Sequence, residues 1–87
     1  MGTLIVEMKA TDFAKAMANF EKGAPIRKEA GITNSRVFRS VADPNAFVVI
    51  SDAADEAKAR AALANPQVRT MMQEAGALGP PKIQFIG

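Results

Sequence analysis

An α+β fold with strands at both ends of the chain and a hairpin in its middle follows from three features of the sequence. Residues 3 to 9 alternate between apolar and polar on one side, as a half-buried strand does, and a second short apolar stretch closes the chain at residues 82–86. A turn signal, Ala42-Asp43-Pro44-Asn45, separates two further apolar runs. Between these strands lie stretches rich in Ala, Glu, Lys and Arg, each opening on a residue suited to cap a helix.

The first strand, Thr3 to Lys9, places Leu4, Val6 and Met8 on one face and Thr3, Ile5, Glu7 and Lys9 on the other. Thr11 or Asp12 then caps a helix in which Phe13, Met17 and Phe20 fall at i, i+4 and i+7. Gly23 and Pro25 interrupt it, because proline lacks a backbone donor and crowds the preceding turn. A short helical continuation from Ile26 to Ala30 ends at Gly31, a residue suited to the position after a helix.

Residues 35–41 and 46–52 form a hairpin around Asp43-Pro44. With Val41 opposite Ala46, Phe38 faces Val49, Ser40 faces Phe47 and Arg36 faces Ser51. Val37, Arg39 and Val41 then share the other face with Ile50, Val48 and Ala46. Both faces of this hairpin are largely apolar. Asp52 or Asp55 caps a second helix through Ala64, supported by an i,i+4 pair of Glu56 with Arg60. Asn65 and Pro66, good N-cap and N1 residues, restart it. Val68, Met71, Met72 and Ala75 give its apolar side, and Gly76 ends it. Gly79-Pro80-Pro81 leads stiffly into the last strand, Lys82 to Ile86.

The sum is β-α-β-β-α-β, the ferredoxin-like plan with a four-stranded antiparallel sheet, in a single domain spanning residues 1–87. Helices cover one sheet face. The other is apolar and bare in one copy, so the expectation is a homodimer with two sheets packed face to face, a dimeric α+β barrel. A chain this short buries only roughly 60% of its unfolded surface, which makes such a partner useful.

Composition narrows the chemistry. The 87 residues include no His, Cys, Tyr or Trp. Imidazole, thiol and phenol catalysis are therefore excluded, as are metals held by His or Cys, and no cofactor is expected. The formal charge is only +2, and the cations spread from Lys9 to Lys82 without the basic stripe of a nucleic-acid binder. No apolar run approaches the ~20 residues that span a bilayer. Met1 to Lys9 alternates like a strand and lacks the charged start and apolar centre of a signal peptide, so the expected location is the cytoplasm.

Few residues are candidates for a site. Arg36 and Arg39 stand in an apolar hairpin and are the weak catalytic candidates, as anchors for an anion or an oxyanion. Alternation sends them to opposite faces, and snorkelling at the sheet edge is the plainer account of each. Asp52 as a general base competes with Asp52 as a helix cap. Met8, Phe13, Met17, Phe20, Phe38 and Met72 could line a pocket for a small apolar ligand, although such stripes are also the normal core signal. Gly76-Ala77-Leu78-Gly79 lacks the pattern of a phosphate loop and precedes a strand.

Taken together, Ala30-Gly31-Ile32, Arg36-Val37-Phe38-Arg39, Asp43-Pro44-Asn45, Asn65-Pro66 with Val68-Arg69, and Ala75-Gly76 through Gly79-Pro80-Pro81 resemble small bacterial dimeric α+β barrel proteins. These are often labelled cyclases or placed near the antibiotic biosynthesis monooxygenases. The resemblance runs over nearly the whole chain. It implies His at the end of the first strand, Trp in the first helix and His near that helix's end, where this chain has Met8, Ala16 and Gly23. Each difference removes a polar group or a large ring.

The function expected from these readings is binding of a small apolar ligand between helices and sheet, without catalysis. The first alternative is a cofactor-independent monooxygenase or cyclase acting on an aromatic polyketide or quinone-like substrate, with Arg36 or Arg39 stabilising an oxyanion. The second is an interaction module with no ligand.

Overall fold

The computed structural model describes residues 2–87. Its elements are β1 (Gly2–Lys9), α1 (Phe13–Lys22), α2 (Ala24–Glu29), β2 (Ile32–Arg39), β3 (Ala46–Ala53), α3 (Glu56–Leu63), α4 (Pro66–Glu74) and β4 (Lys82–Ile86). The four strands form one antiparallel sheet in the order β2-β3-β1-β4, the ferredoxin-like arrangement. Each helical layer element of the plan is split in two: α1 breaks into α2 at Gly23, and α3 into α4 at Asn65-Pro66.

Local chemistry sets these boundaries. Asp12 Oδ1 accepts from the Lys15 amide at 3.2 Å, so Asp12 rather than Thr11 caps α1. Asp55 does the same for α3 through the Lys58 amide, also at 3.2 Å. Asp52, the other candidate, instead accepts a long bond from Asn34 Nδ2. Asn65 Oδ1 accepts from the Gln67 amide at 2.9 Å and Pro66 opens α4. Gly76 has φ +78, and a Cβ there would collide with the Thr11 hydroxyl. Its carbonyl accepts the Thr11 amide at 2.9 Å, which ties the end of α4 to the exit of β1.

The helices cover the sheet face that carries Leu4 and Val6 on β1, Phe47, Val49, Ser51 and Ala53 on β3, and Ile32 on β2, all buried. Phe13 meets Phe47 edge to face, with ring centroids 5.6 Å apart. β1 divides its faces as its alternation requires, and Leu4 and Val6 pair with Phe85 and Ile83 of β4 on the same face.

The hairpin differs from expectation by one residue. Arg36, Val37, Phe38 and Arg39 stand opposite Ile50, Val49, Val48 and Phe47, not one position later. Two physical causes account for it. The connection is longer than Ala42–Asn45: Ser40 donates to the Ala46 carbonyl at 2.8 Å, the Asp43 amide to Ser40 Oγ, and the Asn45 amide to Asp43 Oδ1, leaving Val41 fully exposed in the loop. A β-bulge also lies between Thr33 and Arg36, with Asn34 in the left-handed region at φ +53, a conformation asparagine tolerates better than most residues. β2 therefore starts at Ile32, three residues before the expected start at 35, and its outward and inward residues exchange roles across the bulge.

Candidate functional site

A partly open cavity of about 130 Å³ lies between the helices and the covered sheet face. The sheet supplies Leu4, Val6, Met8, Ile32, Phe47, Val49 and Ser51 to its wall. α1 adds Ala16, Asn19 and Phe20; α2 adds Ile26 and Arg27; α3 and α4 add Ala62, Leu63, Val68, Met71 and Met72. The cavity exists because small residues stand where the layers meet. Ala16 and Ala75 are buried, and Gly23 sits at the break between α1 and α2. Met8, Ala16 and Gly23, the three departures from the resemblance, all belong to this one wall.

Three polar side chains reach the wall. Ser51, 1% exposed, is paired with Ser35 through a 2.8 Å hydroxyl contact. Arg27 lays its guanidinium 3.8 Å over the Phe20 ring and donates from Nη1 to the Phe20 carbonyl at 2.6 Å. Burial lowers its pKa from the ordinary arginine value, partly opposed by nearby Glu21, and the group remains a cation at neutral pH. Asn19 is buried in the middle of α1 and donates from Nδ2 to the Lys15 carbonyl at 3.2 Å. Its Oδ1 is enclosed and has no hydrogen-bond partner.

The expected pocket residues divide. Met8, Phe20 and Met72 are on the wall. Phe13 and Met17 pack into the core beside it instead. Phe38 is not near it: the bulge turns Phe38 to the opposite sheet face, where it is 52% exposed across from Val48. The two candidate arginines are not brought together. Arg36 is exposed on the outer face, opposite Ile50. Arg39 lies on the helix side, but at the edge. Its guanidinium covers Phe13 at 4.3 Å and its Nε donates to the Pro44 carbonyl at 2.7 Å. Neither reaches the cavity, so neither can steady an anion there, and Arg27 is the cation on the wall.

Asn19 and Arg27 were legible only as faint signals. A polar, weakly helix-forming Asn inside an Ala- and Phe-rich helix is out of place unless the amide has work to do. Reading the stripe as Phe13, Met17 and Phe20 hid that Ala16 and Asn19 point most directly inward. Among the described residues, no three His, Cys, Asp or Glu side chains gather as a metal site would require.

No family model matches the chain, and no curated protein does. Solved structures share its fold. A cofactor-independent oxygenase from Streptomyces nogalater, SnoaB, superposes with a TM-score of 0.75 at 19% identity, over 99% of this chain and 90% of that one. An antibiotic biosynthesis monooxygenase gives 0.73 at 15% identity, over 100% and 97%. Rv0793 from Mycobacterium tuberculosis gives 0.69 at 13% identity, over 99% and 92%. The likeness is one of fold, at the full length of the chain. No helix among the described residues is long and apolar enough to cross a membrane.

Proposed function

We propose that the protein binds a small, largely apolar molecule in the cavity between helices and sheet, without catalysing its conversion. One observation carries this reading: the wall is apolar except for Asn19, Arg27 and Ser51, and of these only Asn19 has an oxygen without a partner. A closed apolar cavity of ~150 Å³ is enough for a benzene-sized guest. The space here is of that order, which favours one ring over a fused polycycle. Native mass spectrometry of the purified protein tests the reading. A reproducible adduct is expected, and a clean apo mass together with no thermal shift from any single-ring compound defeats it.

The second reading, cofactor-independent oxygenation, is favoured by the fold shared with SnoaB and by a permanent cation on the wall. In it, a substrate CH₂ next to a carbonyl or phenol loses a proton, and the resulting carbanion reacts with O₂. The peroxide anion so formed takes up a proton from solvent, replacing the one lost, and the hydroperoxide then loses water to leave a new carbonyl; Arg27 stabilises the enolate or phenolate oxygen before O₂ adds. Oxygen uptake with anthrone or hydroquinone substrates decides it, and a rate equal to buffer alone ends this reading.

The same proposal makes the working unit a homodimer. The uncovered sheet face presents Ile5, Val48, Ile50 and Phe38 around its centre, with Glu7, Lys82 and Arg36 at its margin. Pairing two such faces would bury an ordinary interface of roughly 1,200–2,000 Å². Light scattering at micromolar concentration should give twice the 9.2 kDa chain mass; a 9.2 kDa species contradicts it. We place the protein in the cytoplasm as part of the same proposal, a location with which the absence of cysteine is compatible.

A further inference from the structure

We infer that the cavity selects a ligand carrying a hydroxyl group, an apolar alcohol or phenol of about one ring, and that Asn19 Oδ1 accepts the hydroxyl's hydrogen. This deepens the cavity-binding reading and rests on it. Asn19 is 9% exposed, and its amide orientation is fixed because Nδ2 must face the Lys15 carbonyl to donate. The oxygen left over is a buried acceptor with no donor, a state that folded proteins seldom tolerate. Leucine would fill the same volume with better helix propensity and no orphaned atom.

The neighbouring polar groups point to the same ligand class. Ser51 already shares a hydrogen bond with Ser35, whereas Asn19 Oδ1 has no partner and gains the most from the hydroxyl. A carboxylate ligand would suit Arg27 but would set its negative charge against Asn19 Oδ1. A neutral hydroxyl satisfies Oδ1 without that conflict. Oδ1 is covered by its neighbours, so a donor reaches it as the wall adjusts, and Met8, Met71 and Met72 give that wall its adaptable, unbranched side chains.

The test compares phenol with toluene, which differ by hydroxyl for methyl at nearly equal size, by calorimetry on the wild type and on Asn19→Leu. In a purely apolar cavity the hydroxyl is buried without an acceptor, and phenol should bind roughly tenfold or more weaker than toluene. The wild type is expected to bind phenol at least as tightly as toluene. Asn19→Leu is expected to restore a preference of about tenfold for toluene. A wild type that already prefers toluene overturns the inference and leaves the cavity reading standing. An unchanged ratio in Asn19→Leu overturns it as well. Failure of both compounds to bind the wild type at millimolar concentration overturns the cavity reading itself. The wild-type comparison decides the matter even if Asn19→Leu does not fold.

Discussion

The two faces of the sheet are built from the same strands and similar residues, yet they meet different fates. Leu4, Val6, Phe47 and Val49 lie under the helices and are each less than 10% exposed. Ile5, Val48 and Ile50 alternate with them and are only half-buried, while Phe38 and Ile86 are about half exposed. The covered face is sealed at its edges by arginines lying on phenylalanines: Arg27 on Phe20, Arg39 on Phe13 and Arg60 on Phe85. The uncovered face instead carries carboxylates of the inner strands paired to the edge strands, Glu7 with Lys82 and Asp52 with Asn34. An apolar pattern states that a surface must leave water; it does not state what covers it. On one side the chain covers itself, imperfectly enough to leave a cavity. On the other, Ile5, Val48 and Ile50 are left half-buried, the surface that the proposed second copy would cover.

The largest effect that would separate the two faces is on folding. Phe47→Ala should cost about 3–5 kcal/mol in urea unfolding, because Phe47 is buried against Phe13. Phe38→Ala should cost less than about 1 kcal/mol per isolated chain. Equal costs would break the contrast. Next, Val48→Asp at the centre of the outer face should weaken self-association a hundredfold or more, since burying an unpaired charge costs about 3 kcal/mol or more. Sedimentation should then show the single-chain mass, with ligand binding in the cavity retained.

On the covered side, Ala16→Leu places three extra carbons on the cavity wall. It should lower affinity for a single-ring ligand about tenfold or more, with stability changed by about 1 kcal/mol, because the added groups enter existing space. Calorimetry and thermal unfolding read the two effects separately. Arg39→Ala should lose about 0.5–1 kcal/mol by uncovering Phe13. Arg39→Lys should recover only part of that, because an ammonium cannot lie flat on the ring while holding the Pro44 carbonyl.

The smallest effect is an acid one. The Asn45 amide and the Lys9 ammonium, 3.0 Å away, hold the Asp43 carboxyl below its ordinary value. With its folded pKa lowered, the stability Asp43 contributes is present above the unfolded value near ~3.9 and disappears as pH falls through the folded one. Asp43→Asn should therefore be slightly less stable than wild type at pH 6 and indistinguishable from it at pH 2. A difference that persists at pH 2 would show that Asp43 acts through the loop's shape instead.

Most of the frame was readable because it depends on neighbouring residues. Asp12, Asp55 and Asn65-Pro66 act on amides two or three positions away, and Leu4-Val6-Met8 need only alternation. The hairpin register was not readable to the residue, because it depends on Ser40 closing the loop and on two residues of β2, Asn34 and Ser35, opposing a single Ser51. Hydrophobic periodicity carries no mark of such a bulge, and one slipped residue was enough to send Phe38 to the wrong face. The site suffered for a different reason. Its shape comes from what is small, Ala16, Gly23 and Ala75, and its distinctive atom is one amide oxygen, whereas sequence reading is drawn to large and charged residues.

The bulge at Asn34–Ser35 also acts as a phase switch written into the backbone. Even-numbered residues face the helices before it and odd-numbered residues after it, and removing one of the two residues opposite Ser51 would leave a regular ladder with Arg36, Val37, Phe38 and Arg39 still opposite Ile50, Val49, Val48 and Phe47, each on its present face. The loop and β3 would keep their places. The extra residue thus lets Ile32 and Val37, an odd number of positions apart, both face the helices, where a regular strand would send one of them to the outer face.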